Sequence, residues 1–400
     1  MNLITGYPYW LINNGLQANY PKLDKSLKTD IVIIGGGISG ALTAYYLTIA
    51  GLSCVVIDSR TIGLGSTCAS TALLQYELDT PLYQLSNQIG FQSAARAYEL
   101  CSQSIDTIQS ICKKLNFTLF EKQKSLLFAA NKNHKKLIET EFSYRQKAGF
   151  DVELLSESSI QKQFGFAAPN GILSAQAGSI DAYMFVYALL KNSVEKGLSV
   201  YDRTDISKID YHKNGIKLTT DKGHQITASK IVNASGYEIT EFINKKIVTL
   251  SSSYALASEH IQTPMPAWKD KTLLWNTANP YLYMRLTHDN RIILGGRDEP
   301  FYNPTKRDKL INKKAALLAK DFSKIFPKIE LIPEFIWTGT FGSTNDAMPY
   351  IGTYDKTPHT YYALGFGGNG ITFSVIAAEI IRDMILGKNN QDAALFAFNR

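Results

Sequence analysis

Residues Asp30–Asp58 constrain the fold of this chain more than any other stretch. Ile31–Ile34 is a β-branched run, as in a strand buried on both faces. Gly35-x-Gly37-x-x-Gly40 follows at once, Ala41–Ala50 has helical composition, and Gly51 is placed to close that helix. Cys54–Ile57 reads as a second buried strand ending in Asp58. Strand, glycine turn, helix, strand and terminal acid, in that order, form a dinucleotide-binding fingerprint. Gly35 permits the tight turn, Gly37 lets the backbone approach a pyrophosphate, and Gly40 lets the helix lie close on the strand. Ile34, Ile38 and Ser39 belong to the same turn. The helix N-terminus, with free N–H groups and a partial positive charge, faces the phosphates. Asp58, 18 residues beyond Gly40, is placed to accept hydrogen bonds from the ribose hydroxyls and to repel a 2′-phosphate.

Two rival readings of this stretch are a purely structural glycine turn and a membrane span, since Ile31–Ala50 carries no charge over 20 residues. Four glycines, several hydroxyls and two tyrosines interrupt the apolar run, and no basic flank fixes an orientation. Both features argue against a span.

The 400 residues are 45% hydrophobic and 19% charged, which suits two closely joined globular domains. Met1–Asn14 lacks the basic-then-apolar pattern of a secretory signal. The four cysteines, Cys54, Cys68, Cys101 and Cys112, form no C-x-x-C pair, so neither a metal site nor a redox dithiol is predicted. A reduced, cytoplasmic setting is expected. The net charge of +7 comes from scattered lysines and describes a mildly basic surface that favours anionic substrates. Nothing resembles a nucleic-acid module.

Tyr7–Leu27 reads as an irregular lead-in, and Thr61–Thr71 as a hydroxyl-rich loop leaving the ribose end of the fingerprint. Ser66, Thr67 and Ser70 in that loop are candidates for further phosphate contacts, with a simple capped loop as the alternative. Helices are expected over Tyr83–Lys114, Lys132–Ala148, Ala182–Lys196 and Lys306–Phe326. Short alternating runs between Ser199 and Ile231, with a turn at Asp221-Lys222-Gly223, predict a β-meander. Its last strand enters the small-residue turn Asn233-Ala234-Ser235-Gly236, where a backbone can touch a ligand. Val248–Gly296 is strand-rich and aromatic. A second glycine loop, Gly365–Gly370, opens into helix Ile371–Leu386 and is suited to holding negative charge on a ring. The two glycine loops lie at opposite ends of the chain, so the cofactor domain is expected to be discontinuous.

Six ordered motifs make the chain resemble the D-amino-acid oxidase-like flavoproteins, which include glycine oxidase, sarcosine oxidase and gamma-glutamylputrescine oxidase. They are Asp30–Asp58, Gly63-x-Gly65-Ser66, Gly178-x-Ile180-Asp181, Asn233–Gly236, Asn345–Gly352 and Gly365–Gly370, and Tyr9-Trp10 is similar to the lead-in of the last branch. The resemblance covers nearly the whole chain. It implies an α/β fold with an α+β substrate part: a discontinuous Rossmann-type FAD-binding domain and an inserted substrate domain built on an antiparallel sheet. We place the FAD domain at 1–80, 150–245 and 340–400, and the substrate domain at 81–149 and 246–339. The implied FAD contacts are Gly35, Gly37, Gly40, Asp58, Ser59, Arg60, Gly65, Ser66, Arg203, Gly236, Gly365, Gly368, Gly370 and Ile371. Ile34, Ile38, Ser39, Thr67, Ser70, Ala234, Gly367 and Asn369 join them as neighbours in the same loops. No cysteine follows Cys112, so non-covalent FAD is expected.

The same resemblance implies oxidation of a C–N bond in a small amine or amino acid, by an oxidase that yields imine and hydrogen peroxide. The rivals are a dehydrogenase passing electrons to a quinone or carrier, and a non-catalytic flavoprotein binding module. Tyr281, Tyr283 and Arg285 alternate onto one sheet face. By resemblance Arg285 is the fork for a substrate carboxylate, with an ordinary surface arginine near Asp289 as the alternative. Trp275, His260 and Asn369 are further pocket candidates. Ile293 falls where sarcosine oxidases carry a lysine. The expected partner is the small substrate, with the protein a monomer or dimer.

Overall fold

A computed structural model describes residues 1–241, 243, 247–261, 268–364 and 367–400. Two sheets organise these residues. The smaller, of eight strands, is centred on Leu27–Ile34, flanked in parallel by Cys54–Ile57 and Gln225–Asn233. Ser199–Tyr201 and Thr360–Leu364 continue it in parallel on either side, and Tyr350–Thr353 closes one edge antiparallel. Alternation sorts its side chains by face. Ile31, Ile33, Cys54 and Val56 pack beneath helices Ile38–Ile49, Phe91–Lys114, Ala182–Glu195 and Gly370–Ile385. Val32, Ile34, Val55 and Ile57 meet Ile206, Ile216 and Leu218 of the hairpin Ile206–His212/Gly215–Thr220. Burial on both faces is why these short strands are almost wholly β-branched. The uncharged stretch Ile31–Ala50 is thus a strand and a helix, and no helix among the described residues is long and apolar enough to cross a membrane.

The larger sheet has ten strands. Its path runs Ile4–Gly6, Pro333–Ser343, Thr249–Ser258, Ile292–Glu299, Tyr283–Leu286, Leu273–Asn276, Phe120–Phe128, Asn170–Ile180 and Leu73–Gln75, with Val152–Ser156 paired to Asn170–Ile180. Only Leu273–Asn276 and Phe120–Phe128 pair in parallel among the described neighbours. Leu126, Leu256, Leu274, Met284 and Leu294 on its outer face pack against Ala315, Leu318 and Phe322 of helix Ile311–Ile325. Ala255, Ala257, Ile293 and Trp337 on its inner face join the core beneath the nucleotide-domain helices.

Several expectations change: the expected helix Lys306–Phe326 is two helices, Pro304–Lys309 and Ile311–Ile325, and Ser199–Tyr201 pairs in parallel with Cys54–Ile57 instead of joining the meander. Gly90, at φ +83°, splits the expected helix Tyr83–Lys114 into Leu82–Ile89 and Phe91–Lys114. The lead-in is not irregular throughout: Tyr9–Asn14 is a short helix whose Tyr9 and Trp10 are buried. The segments 1–80 and 150–245, assigned to the FAD domain, also contribute Ile4–Gly6, Leu73–Gln75, Val152–Ser156 and Asn170–Ile180 to the larger sheet. Strand partners, not position along the chain, settle that membership, so the backbone crosses between the two sheets more often than the division allows.

Candidate active site

The fingerprint turn is built by contact with neighbouring backbone. Gly35 takes φ +107° and donates its N–H to Ile57 O at 2.8 Å; a Cβ on it would lie 2.5 Å from Ala234 O. Gly40 sits so close beneath Gly35 that a Cβ would overlap the Gly35 carbonyl oxygen. Gly37 is the N-cap of helix Ile38–Ile49, and the Ile38 N–H donates to Thr67 Oγ1 at 3.0 Å. The Thr67 hydroxyl thus satisfies one of the free donors at this helix end. Ser39 Oγ lies 2.8 Å from Ser374 Oγ, tying the fingerprint helix to helix Gly370–Ile385.

Asp58 accepts from the Gly36 N–H at 2.6 Å and the Arg60 N–H at 2.7 Å. Burial pushes its carboxyl up to about 6, against the pull of those two donors. Arg60 in turn pairs with Glu238 at 2.5 Å.

These groups line one cavity of about 420 Å³. Ile34, Gly35, Gly37, Ile38, Ser39, Asp58, Ser59 and Arg60 form part of its wall, with Gly65, Ser66, Thr67 and Ser70 from the hydroxyl loop and Ala234 and Gly236 from the small-residue turn. Gly367, Gly368, Asn369, Gly370, Ile371, Tyr281 and Tyr283 form another part. Gly40 lies behind the wall, where its role is close packing. Gly365 falls outside the described residues. Arg203 does not reach the wall: its guanidinium pairs with Asp202 at 2.7 Å and bonds Asn19 and Tyr20, while the following Thr204 and Asp205 line the cavity.

The second glycine loop is pinned rather than free. Asn369 Nδ2 donates to Gln75 O and Glu77 O, both at 3.0 Å, so this residue holds the loop against strand Leu73–Gln75. Helix Gly370–Ile385 starts here, with Gly370, Ile371 and Thr372 on the cavity wall. Its positive end therefore faces the cavity.

Beside this loop lie groups that no sequence pattern announces. Asp79 accepts from the Gly368 N–H at 2.9 Å and from the Tyr281 hydroxyl at 3.0 Å. A Cβ on Gly368 would lie 2.6 Å from Asp79 Oδ1, so glycine there makes room for the carboxylate. The Tyr283 ring covers Gly295, where any Cβ would collide with it, and stands 5.5 Å from the Tyr281 ring. Burial raises both phenols well above their ordinary value, so they stay protonated. Asp298 has its carboxyl pushed up to about 6 by burial, against the pull of Ser253.

Arg285 takes the face that alternation predicts but not the cavity. It is buried, its guanidinium 5.0 Å from the Trp10 ring and its Nη2 at 3.5 Å from Ile180 O. Burial lowers it to about 10, so it remains charged at neutral pH. It is no surface arginine beside Asp289: that carboxylate bonds Tyr9, Thr287 and Arg291. Trp275 gives its Nε1 to Ser125 Oγ at 3.0 Å and stands 6.0 Å from Tyr281. His260 contacts Asp289 O, and Ile293 is buried in the sheet as the partner of Arg285.

The sequence profile described as FAD dependent oxidoreductase matches residues 30–384. The chain belongs to that family. It is an FAD flavoprotein, and its glycine cradles, its helix ends and the remaining lone pairs of Asp58 fit that cofactor. Among curated relatives, gamma-glutamylputrescine oxidoreductase of Escherichia coli (strain K12) is 22% identical, over 95% of this chain and 88% of the relative. L-proline dehydrogenase from P. horikoshii superposes with a TM-score of 0.78 at 20% identity, covering 93% of this chain and 97% of the other. Glycine oxidase from Geobacillus kaustophilus gives 0.78 at 18%, covering 93% and 99%. These neighbours share the D-amino-acid oxidase-like fold of Rossmann-type domain and substrate domain.

Asp58→Ala tests the assignment of the Asp58 carboxylate, which lines the cavity, to the ribose. FAD affinity is expected to fall on the order of 10–100-fold, the worth of one charge-assisted hydrogen bond at about 1.5–3 kcal/mol. Fluorescence titration of the apoprotein with FAD measures it, and an unchanged Kd would remove Asp58 from the ribose.

Proposed function

We propose that this FAD-dependent oxidoreductase oxidises the carbon–nitrogen bond of a small amine or amino acid and passes the electrons to dioxygen, giving imine and hydrogen peroxide. The observation that carries the reading is the shared cavity. Residues suited to a dinucleotide and residues suited to a small polar substrate, Tyr281, Tyr283 and Ser253, line the same space. Bound FAD supplies a hydride acceptor for the carbon beside the amine nitrogen. The positive end of helix Gly370–Ile385 and the loop before it favour the negative charge that the reduced cofactor carries. Asn369 keeps that loop in place through Gln75 and Glu77. Tyr281 and Tyr283 remain neutral and orient the substrate through rings and hydroxyls. FAD is held without a covalent bond, since all four cysteines are buried free thiols and none of them lines the cavity.

The names of the neighbours, an amine oxidoreductase, an amino-acid dehydrogenase and an amino-acid oxidase, support nitrogen-bearing substrates and leave the acceptor to experiment. Dioxygen needs no docking face, which favours it over a carrier protein. Anaerobic addition of a panel of amines and amino acids is expected to bleach the visible flavin band with at least one compound. Air should then restore the band rapidly, with one peroxide per turnover. Slow return in air with fast return on adding a quinone would replace the oxidase by a dehydrogenase. A band that no compound bleaches would favour a flavoprotein that only binds a partner.

A further inference from the structure

We propose that the tyrosine-lined part of the cavity accepts an amine carrying a second positive charge, selected by the carboxylates of Asp79 and Asp298 and the rings of Tyr281 and Tyr283. The inference rests on the amine-oxidation reading and adds the substrate class. Two carboxylates stand behind the two tyrosines. Asp79 touches Tyr281 and Gly368, both on the cavity wall, and Asp298 interacts with Ser253, also on the wall. The charge of Asp79 acts on Asp298, and neither carboxylate forms an ion pair with lysine or arginine among the described residues. Lys314, whose charge reaches Asp298, gives its ammonium to Arg297 O and Glu299 instead.

The Oδ1 atom of Asp298 is buried and has no hydrogen-bond partner among the described residues. A buried carboxylate oxygen without a donor is costly unless a cation or donor arrives. The aromatic rings supply the rest of an ammonium site. Tyr281 and Tyr283, both on the wall, lie 5.5 Å apart, and their π-faces attract a cation; Trp275 backs Tyr281 edge-on at 6.0 Å. Among the described residues, the positive groups on the cavity wall, the Met1 ammonium and Arg60, are both paired with Glu238. Arg285 is buried beneath Trp10, and Arg60 sits beside Asp58.

The test uses FAD-loaded enzyme under anaerobic calorimetry with three probes of one chain length: diaminobutane, butylamine and ω-aminobutanoate. The diamine is expected to bind at least about tenfold more tightly than either other probe, as a second charge-assisted contact allows. Asp79→Asn and Asp298→Asn are each expected to close most of that gap, with FAD retention checked by the visible band. Equal binding of the three probes, or tightest binding of ω-aminobutanoate, overturns the proposal. The wild-type series decides this even where a variant loses FAD. Selective binding of the diamine without bleaching by any amine would overturn the amine-oxidation reading and leave the cation site standing.

Discussion

Gly40→Val is expected to yield colourless protein with a lowered Tm. Gly40 lies where helix Ile38–Ile49 comes down onto the end of strand Leu27–Ile34, and any Cβ there overlaps the Gly35 carbonyl oxygen, with Ile33 Cγ2 at 3.5 Å. The obstacle is backbone, so no rotamer change relieves it. Gly35 cannot retreat either, because it is packed against the Ala234 carbonyl and its φ of +107° is already closed to other residues. The helix must therefore lift off the sheet. Overpacking of this kind costs about 1–3 kcal/mol in ordinary cores and more against rigid backbone. Lifting the helix also withdraws its N-terminal N–H groups from the cavity wall, which removes the anion site that the pyrophosphate needs. Gly37→Ala is the control: its Cβ would meet only the Thr67 hydroxyl, at 3.0 Å, a side-chain end that needs to shift only slightly and at most gives up its bond to the Ile38 N–H. Gly37→Ala should keep the wild-type Tm within a few degrees. Visible absorbance after gel filtration and a thermal melt measure both. Yellow Gly40→Val protein melting with wild type would refute the packing account.

The fingerprint was legible because its chemistry is local. Strand, turn, helix and acid fall within 29 consecutive residues, Asp30–Asp58, and each is set by neighbours in sequence. Thr67 was legible only as a hydroxyl near phosphates; that it also caps Ile38 depends on a contact 29 residues away. The fate of Arg285 was less accessible. Alternation assigns its face correctly, since Tyr283 pairs with Gly295 and Arg285 with Ile293 on one side of the sheet. What covers that face is Trp10, from a lead-in that composition describes as irregular. Asp79 and Asp298 carried no signal at all. Each is a lone acid in an unremarked stretch, and only the fold brings Gly368 and Tyr281 to one and Ser253 to the other. The motifs after the fingerprint often mark scaffolding: Asp181 caps helix Ala182–Glu195 through the Met184 N–H, and Asp346 pairs with Arg400.

Arg145→Ala is expected to cost about 3–5 kcal/mol of stability, because it strands two buried carboxylates. Arg145 joins Glu141 through Nε at 2.8 Å and Glu77 through Nη1 at 3.1 Å, with all three side chains essentially without exposure. Glu141 also receives the Leu82 and Tyr83 N–H groups, so it anchors the start of helix Leu82–Ile89. Burial already raises the Glu77 carboxyl even with Arg145 opposing it. Without that cation the folded-state value rises further above the value in the unfolded chain. The folded variant then holds a proton that the unfolded chain releases, so its deficit is deepest at neutral pH and shrinks as pH falls toward the ordinary glutamate range near about 4.3. Urea unfolding of the variant at several pH values measures this slope; a loss below about 1 kcal/mol at neutral pH, or one that grows on acidification, would contradict it. The consequence reaches the cofactor. The Glu77 carbonyl oxygen is one of the two acceptors that hold Asn369, so a loosened Glu77 releases the loop before helix Gly370–Ile385. Arg145→Ala should therefore lose FAD at urea concentrations below its own global unfolding, whereas in the wild type release of FAD and unfolding should coincide.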